Sequence, residues 1–188
     1  FRSIVCITSW EACGVTDDFV WTNEDLKTFQ GVYQGNHHVI SGALFCGSSA
    51  GLISSLEGAV VNLRMEHCAS IAKTLCQAIV VGESSGTVSN CSVSDSIVVS
   101  ADTNAYTGAI VGLAKLNSVI SYNTSENNRI MNDGNAAGGI VGQSDVSVRD
   151  CLVNGGDVSG EESTGGIVGT VTNSAEGICI HGCQSSAN

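Results

Sequence analysis

Short apolar clusters recur along the chain, and each is bracketed by glycine or another small residue. The same five-residue pattern reads GAIVG at 108–112 and GGIVG at 138–142 and 165–169, with related copies AIVVG at 78–82 and AGLIS at 50–54. The copies end at positions 54, 82, 112, 142 and 169, so successive copies lie 28, 30, 30 and 27 residues apart. The final glycines of four copies mark the turn of a repeat: Gly82, Gly112, Gly142 and Gly169.

A second pattern follows each copy. It reads VVNL at 60–63, VSNC at 88–91, VISY at 119–122, VRDC at 148–151 and IHGC at 180–183. Residues 92–100 then alternate between polar and apolar side chains, which is the period of two expected of a half-buried strand. Two phased elements with strand-like pieces between them predict that each copy is one structural unit.

The repeat predicts an all-β fold, a right-handed parallel β-solenoid (β-helix) of about five coils with about three short strands in each. Coils of such a fold stack at the strand spacing of roughly 4.8 Å. The Ile-Val pair of one copy is then expected to stack on that of the next, through Ile110, Val111, Ile140, Val141, Ile167 and Val168. The flanking glycines allow turns where a Cβ atom would collide with the next coil. Residues 31–188 form this solenoid, and residues 1–30 are expected to form a small N-terminal cap segment.

The competing fold is a β-sandwich, which gives no reason for two separate motifs to repeat in phase. Helical repeats need a sustained three- and four-residue periodicity, which this chain lacks. One short helix is expected at 22–29, where Thr22 and Asp25 resemble a capping box ahead of Leu26.

Charge and composition narrow the functional classes. Seven Lys and Arg against 18 Asp and Glu give a net charge of −11, which argues against nucleic acid or an anionic membrane surface as partner. The apolar runs are too short to insert into a membrane.

Nine cysteines, none in a CxxC…CxxC zinc arrangement, favour an oxidising compartment, so the predicted location is extracellular or at a cell surface. Because the chain begins with Phe1, we expect a mature form or a fragment.

The repeat resembles that of a known protein family. The GGIVG pattern followed by VSNC or VRDC is similar to the GLUG repeat of secreted and surface-attached bacterial proteins, whose units have a GGLVG turn followed by an NC-containing strand. Residues 29–42, FQGVYQGNHHVISG, are similar to the "fkGtfDGnghtIsG" segment that leads into such arrays, with Gln34 in place of Asp and His37 in place of Gly. The resemblance covers residues 29–183 and implies a fold rather than one activity. The cysteine content exceeds the usual one per repeat.

The repeat sorts the cysteines into two groups. Cys91, Cys151 and Cys183 share one place in the coil, which Leu63 and Tyr122 occupy in the other copies, so we expect an inward position where cysteine acts as a small hydrophobe. Cys151 and Cys183 lie in neighbouring coils and could bond, but a reduced interior ladder is favoured.

The remaining cysteines are disulfide candidates, and six thiols allow 15 connectivities. Cys46 with Cys76 is the preferred bridge, because both precede the turn in adjacent coils, and Cys6 with Cys13 is a second expected bridge. The full set is Cys6, Cys13, Cys46, Cys68, Cys76 and Cys179. The sequons that begin at Asn90 and Asn123 are candidate glycosylation sites.

The candidate catalytic residues do not share one place in the repeat. Enzymes with a β-helix fold that cleave polysaccharides need converging carboxylates, yet the acidic residues scatter: Asp102, Asp133, Glu161 and Glu162 lie before the glycine pattern, near Tyr106. Solvated loop charges are the favoured interpretation, and an acidic strip that binds cations is the alternative. His37 and His38 would point to opposite faces of a strand and could not share one metal. We therefore predict no catalytic residues, no metal and no cofactor.

The predicted function is a non-catalytic extracellular structural or adhesive module, including the case of a subunit that stacks end to end into a filament or surface layer. Its expected partners are other copies of itself or surface proteins and glycans, without nucleic acid and without membrane insertion. Two alternatives stay open: a carbohydrate-binding or polysaccharide-cleaving β-helix, and a spacer region of a larger secreted protein.

Overall fold

The computed structural model describes residues 20–21, 28–36, 38–47, 50–172 and 178–188. Within these ranges the chain is all-β, contains no helix and winds as a β-solenoid of about five turns. The strands are β1 (Val20–Trp21), β2 (Val32–Gln34), β3 (Val39–Ser41), β4 (Leu44–Gly47), β5 (Ile53–Leu56), β6 (Ala59–Val61), β7 (Arg64–Glu66), β8 (Ala69–Ala72), β9 (Cys76–Gln77), β10 (Val81–Ser84), β11 (Thr87–Ser89), β12 (Ser92–Ser94), β13 (Ile97–Ser100), β14 (Tyr106–Gly108), β15 (Val111–Ala114), β16 (Val119–Ser121), β17 (Thr124–Glu126), β18 (Arg129–Asn132), β19 (Ala136–Gly138), β20 (Val141–Ser144), β21 (Val148–Arg149), β22 (Leu152–Asn154), β23 (Asp157–Gly160), β24 (Ser163–Gly165), β25 (Val168–Val171), β26 (Ile180–His181) and β27 (Gln184–Ser185).

These strands form five sheets, and all the strand pairs are parallel. In the order in which the chain visits them within a coil, they are sheet 1 (β2, β6, β11, β16, β21, β26), sheet 2 (β3, β7, β12, β17, β22, β27), sheet 3 (β1, β4, β8, β13, β18, β23), sheet 4 (β9, β14, β19, β24) and sheet 5 (β5, β10, β15, β20, β25). The predicted solenoid is therefore confirmed.

Each complete coil contains five strands rather than the expected three. Residues 92–100 looked like one alternating strand, but Asp95 has a φ of 49° and separates β12 from β13. Asp tolerates this left-handed conformation because its short polar side chain can bond locally. The alternation therefore continues through a corner, which the sequence pattern does not reveal.

The aliphatic ladder lies where the repeat predicts it. Val141 is in register with Val111 on one side and Val168 on the other. The Ile140 N–H donates to the carbonyl of Ile167 at 2.9 Å, and the Ile110 N–H donates to that of Ile140 at 3.1 Å. All of these side chains are buried, so this part of the repeat supplies one rung of the core in each coil.

The repeated glycines are required because backbones from sheets 4 and 5 approach closely. A Cβ atom on Gly142 would lie 2.7 Å from the carbonyl oxygen of Gly112 and closer still to the backbone nitrogen of Thr107. A Cβ atom on Gly138 would lie 2.7 Å from the backbone nitrogen of Gly169 and would overlap the carbonyl oxygen of Val141. In the copies that have glycine at both ends, the first and last positions of the pentapeptide thus leave no room for a side chain.

The expected N-terminal features fall largely outside the described residues. Of residues 1–30, the structure describes Val20, Trp21 and residues 28–30, and β1 extends sheet 3 by pairing with β4. The helix expected at 22–29 lies outside the described residues except for its last two positions, of which Phe29 forms a β-bridge with Leu56. In the described chain no helix has the length and apolarity needed to cross a membrane.

Candidate functional site

The coil turns sharply at two corners, and a residue in the left-handed conformation occupies each turn. At the first corner, between sheets 1 and 2, the turn residues of successive coils are Asn62, Asn90, Tyr122, Asp150 and Gly182. At the second corner, between sheets 2 and 3, they are Gly42, His67, Asp95, Asn127 and Gly155. Asn, Asp and Gly are the residues that adopt this conformation most readily.

Where the residue after the turn is Asn, Ser or Cys, its side chain in most coils bonds to the backbone of the preceding coil. At the first corner, the Cys91 N–H donates to Asn123 Oδ1 at 3.0 Å, and Asn123 Nδ2 donates to the Val88 carbonyl at 3.0 Å. Asn123 is completely buried, so these bonds satisfy its amide and the Cys91 N–H where water does not reach them.

The second corner repeats this arrangement with Asn128. The Ser96 N–H donates to Asn128 Oδ1 at 2.8 Å, and Asn128 Nδ2 donates at 2.8 Å both to the Val93 carbonyl and to Ser125 Oγ. One coil earlier the Cys68 N–H donates to Ser96 Oγ at 2.9 Å. A small polar side chain in one coil therefore completes the corner of the coil before it.

The predicted cysteine ladder belongs to the first corner. Cys183 follows the rule, since the Cys151 N–H donates to Cys183 Sγ at 3.4 Å and Cys183 Sγ lies 3.6 Å from the Val148 carbonyl oxygen. Cys91 Sγ lies 3.6 Å from the equivalent carbonyl, that of Val60. Cys91 and Cys151 are buried and Cys183 is half-buried. The thiols thus contact backbone as well as filling space.

Two sequence assignments at the corners are wrong. Tyr122 does not share the place of Cys91, because Thr124 pairs with Ser92 and this register puts Asn123 there and Tyr122 in the exposed turn. The tetrapeptide equivalent to VSNC is 120–123, one position after VISY, because β15 and β16 are separated by two more residues than β10 and β11. Cys68, expected to be a disulfide candidate, is instead a buried member of the second corner, with Sγ 3.8 Å from the Ile40 carbonyl oxygen.

The buried thiols have low reactivity. Burial raises the pKa of Cys91 to about 11 and that of Cys76 and Cys151 to about 12, and it also raises the pKa of Cys68. Because the thiolate is the reactive form, these cysteines resist oxidation and alkylation in the folded state.

The expected bridge between Cys46 and Cys76 is not formed. Cys46 is in sheet 3, paired with Ile71, whereas Cys76 is in sheet 4, paired with Tyr106, so the two do not occupy equivalent places. All seven described cysteines, including the exposed Cys179, are free thiols. Cys6 and Cys13 lie outside the described residues. The cysteine count therefore no longer distinguishes an oxidising compartment from a reducing one.

The two candidate glycosylation sites differ in access. Asn90 is exposed at the first corner, where its Nδ2 donates to Asn62 Oδ1 at 2.5 Å. Asn123 is buried with its amide bonded to backbone, and a glycan on it could not be accommodated in this fold.

The acidic and histidine candidates do not converge. Asp133, Glu161 and Glu162 are exposed, and Asp102 accepts a hydrogen bond from the Asn104 N–H at 2.9 Å within its own loop. His38, His67 and His181 are exposed on separate parts of the coil, and His37 lies outside the described residues. The described part of the chain holds no group of three or more His, Cys, Asp or Glu side chains that could bind a metal.

A groove of about 210 Å³ opens on the first corner, and the sequence motifs did not indicate it. Its lining residues come from three successive coils: Asn62, Leu63, Arg64, Asn90, Cys91, Ser92, Tyr122 and Thr124. We call it the Tyr122 groove. The sequence feature that could have indicated this groove was Tyr122, because the other coils have Asn, Asp or Gly at the same turn position.

The outer face of sheet 3 is a second exposed surface. Its apolar side chains stack in two rows in register, Leu44, Ala69 and Ile97 in one and Cys46, Ile71, Val99 and Met131 in the other. Ile71 and Ile97 are exposed and the others are half-buried. Such contiguous apolar surface is typical of contact sites.

No family model matches the chain, and neither the curated proteins nor the solved structures include a significant match. The resemblance to the GLUG repeat therefore stays a prediction.

Proposed function

We propose that the protein is a non-catalytic structural or adhesive module of the extracellular space or a cell surface, and that it stacks end to end through its last coil. The location follows from the resemblance to the GLUG repeat. The scattered carboxylates and the unreactive buried thiols support a non-catalytic role, since hydrolysis and nucleophilic catalysis both need converging groups.

The observation that carries the proposal is the exposure of two interior positions of the last coil, whose ladder residues Ile167 and Val168 stay buried. Ile180 is 48% exposed, although its register partner Val148 is 0% exposed. Thr164 is exposed where its partner Ala137 is completely buried. These positions face the solenoid interior, so a further layer is needed to cover them.

The strand edges of this coil point to what that layer is. In the described chain, β24 and β25 are the terminal strands of their sheets, each paired on one side only. Unpaired strand edges accept another strand in register, and solenoid ends need a cap or a neighbour for this reason. We infer that a second copy supplies this layer, because its strands would pair with the open edges and cover these interior positions. The rows on the outer face of sheet 3 provide a separate surface for adhesion.

Sedimentation velocity over a range of concentrations, with electron microscopy of the concentrated sample, tests this assembly. We expect rods that lengthen with concentration. Thr164→Lys, which adds a charge at the open edge, should leave monomers, whereas Thr87→Lys on the outside of sheet 1 in a middle coil should assemble normally. Monomers at every concentration of the unaltered protein would leave the spacer function as the better proposal.

A further inference from the structure

We propose that the Tyr122 groove binds a neutral saccharide, with the Tyr122 ring as the stacking platform. This inference goes beyond the structural role proposed above and does not depend on it, because the groove lies in the middle coils, away from the open end.

The first observation is the conformation of Tyr122. Its φ is 57°, and its side chain is 61% exposed. A bulky residue in the left-handed region is a rare outlier, and every other coil has Asn, Asp or Gly at this turn. Backbone strain that packing does not repay occurs mainly at ligand sites. The exposed ring gains little from the protein itself, so its benefit is expected to come from a ligand.

The second observation is the set of polar groups around the ring. Asn90 donates to Asn62, which fixes the orientation of both amides. Ser92 and Thr124 are register partners on the outside of sheet 2, and within the described chain neither their hydroxyls nor that of Tyr122 takes part in a hydrogen bond between protein groups. Amides and hydroxyls beside an exposed aromatic ring match a sugar, which has a flat face of C–H groups and a rim of hydroxyls. Aromatic side chains with a polar handle are suited to such mixed surfaces.

Charge and size restrict the ligand. The one cation of the groove, Arg64, pairs with Glu66 at 2.6 Å, and the chain carries a net charge of −11, so polyanionic glycans are repelled. The volume of about 210 Å³ is below the roughly 300–1,000 Å³ of pockets that enclose a whole drug-sized ligand. A groove of this size suits one ring of a neutral glycan at a time.

The test is a printed array of neutral glucans, mannans, galactans and chitin oligosaccharides beside polyuronides and sulfated glycans, followed by titration of the best neutral oligosaccharide. We expect binding to neutral glycans only. Tyr122→Asn should lower the affinity at least tenfold while the melting temperature stays the same or rises, because Asn is the residue that the two preceding coils use at this turn. Tyr122→Phe should retain most of the affinity.

The matched control is Leu116→Asn, which replaces an exposed apolar side chain of the same coil outside the groove. It should leave the affinity unchanged. Silence of all neutral glycans, preference for the charged ones, or equal affinity of the Tyr122→Asn variant would each overturn the proposal. Assembly of the protein has no bearing on these outcomes, so the two proposals fail independently.

Discussion

The two corners of the coil form the same turn with different interior side chains. After the turn residue, the first corner has Leu63, Cys91, Asn123, Cys151 and Cys183 in successive coils, and the second has Ala43, Cys68, Ser96, Asn128 and Gly156. Asn forms two bonds to the preceding corner, Cys183 forms two longer ones, and Ser96, Cys91 and Cys68 form one each, whereas Leu, Ala and Gly form none from the side chain.

This difference shows what the position requires. It must be small enough to fit inside the turn, and it is most effective when it bonds to backbone. Leu63 is accepted because the coil before it has a different turn, with two additional residues between β2 and β3 compared with β6 and β7. The cysteines are thus intermediates between a hydrophobe and an asparagine, and their function at both corners is structural.

Replacement of Asn128 by Leu is expected to have the largest effect on this arrangement. The change leaves the Ser96 N–H and Ser125 Oγ without this partner in the interior and removes one hydrogen bond from the Val93 carbonyl. Each unsatisfied buried group costs about 1–3 kcal/mol, so the free energy of unfolding should fall by about 3 kcal/mol or more. Urea denaturation measures this loss. Asn154→Leu, on the exposed outside of the neighbouring strand, should change stability by no more than about 0.5 kcal/mol. A small loss for Asn128→Leu would mean that water replaces the amide.

Asn123 in the first corner allows a graded comparison. Asn123→Leu removes partners from the Cys91 N–H and the Val88 carbonyl and should cost about 2 kcal/mol or more. Asn123→Cys should cost roughly half as much, because a thiol meets the same two backbone groups in the coil of Cys183, at longer distances. Thermal and urea unfolding of both variants checks the order. If Cys were no better than Leu, the thiols would be acting as space-filling groups alone.

The sequence predicted the fold from the glycine pattern, because only a stack of coils repeats the same inward pair and the same excluded side chain. It did not reveal that Asp95 divides an alternating stretch, since alternation survives a left-handed corner. It also placed Tyr122 instead of Asn123 inside, because motif letters carry no register and the spacing between motifs varies between coils. The Tyr122 groove could not be predicted, since it is assembled from three coils whose relative shift is set by strand pairing.

The buried thiols of the corners should make the fold sensitive to alkali. Burial raises the pKa of Cys91 from 9.0 to about 11, so above pH 9 the unfolded chain loses this proton while the folded chain keeps it. Stability is therefore complete below about pH 9 and falls as the pH rises towards 11, by about 1.4 kcal/mol per pH unit for this thiol. Cys91→Ala should flatten the measured slope of stability against pH by that amount.

Cys179→Ala is the control for this measurement, because Cys179 is exposed and lies outside both corners. Its slope should match that of the unaltered protein. The same experiment with Cys151→Ala should flatten the slope over a wider range, since the pKa of Cys151 is raised to about 12. An unchanged slope in both variants would show that solvent reaches the corner thiols.

The smallest expected effect concerns the turn residues themselves. His67 is the one residue of the second corner other than Asn, Asp or Gly in the left-handed conformation among the described turns, with a φ of 53°. His67→Asn should raise stability by about 0.5–1 kcal/mol, because Asn tolerates this backbone better. The reverse change at Asn127, Asn127→His, should lower it by a similar amount, and chemical denaturation resolves both. Opposite signs would establish that backbone strain governs the turns, and with it the cost of keeping Tyr122 at the first corner. If His67→Asn lowered stability instead, contacts within the protein would offset the backbone strain of exposed rings at the turns. The strain at Tyr122 would then no longer indicate a ligand.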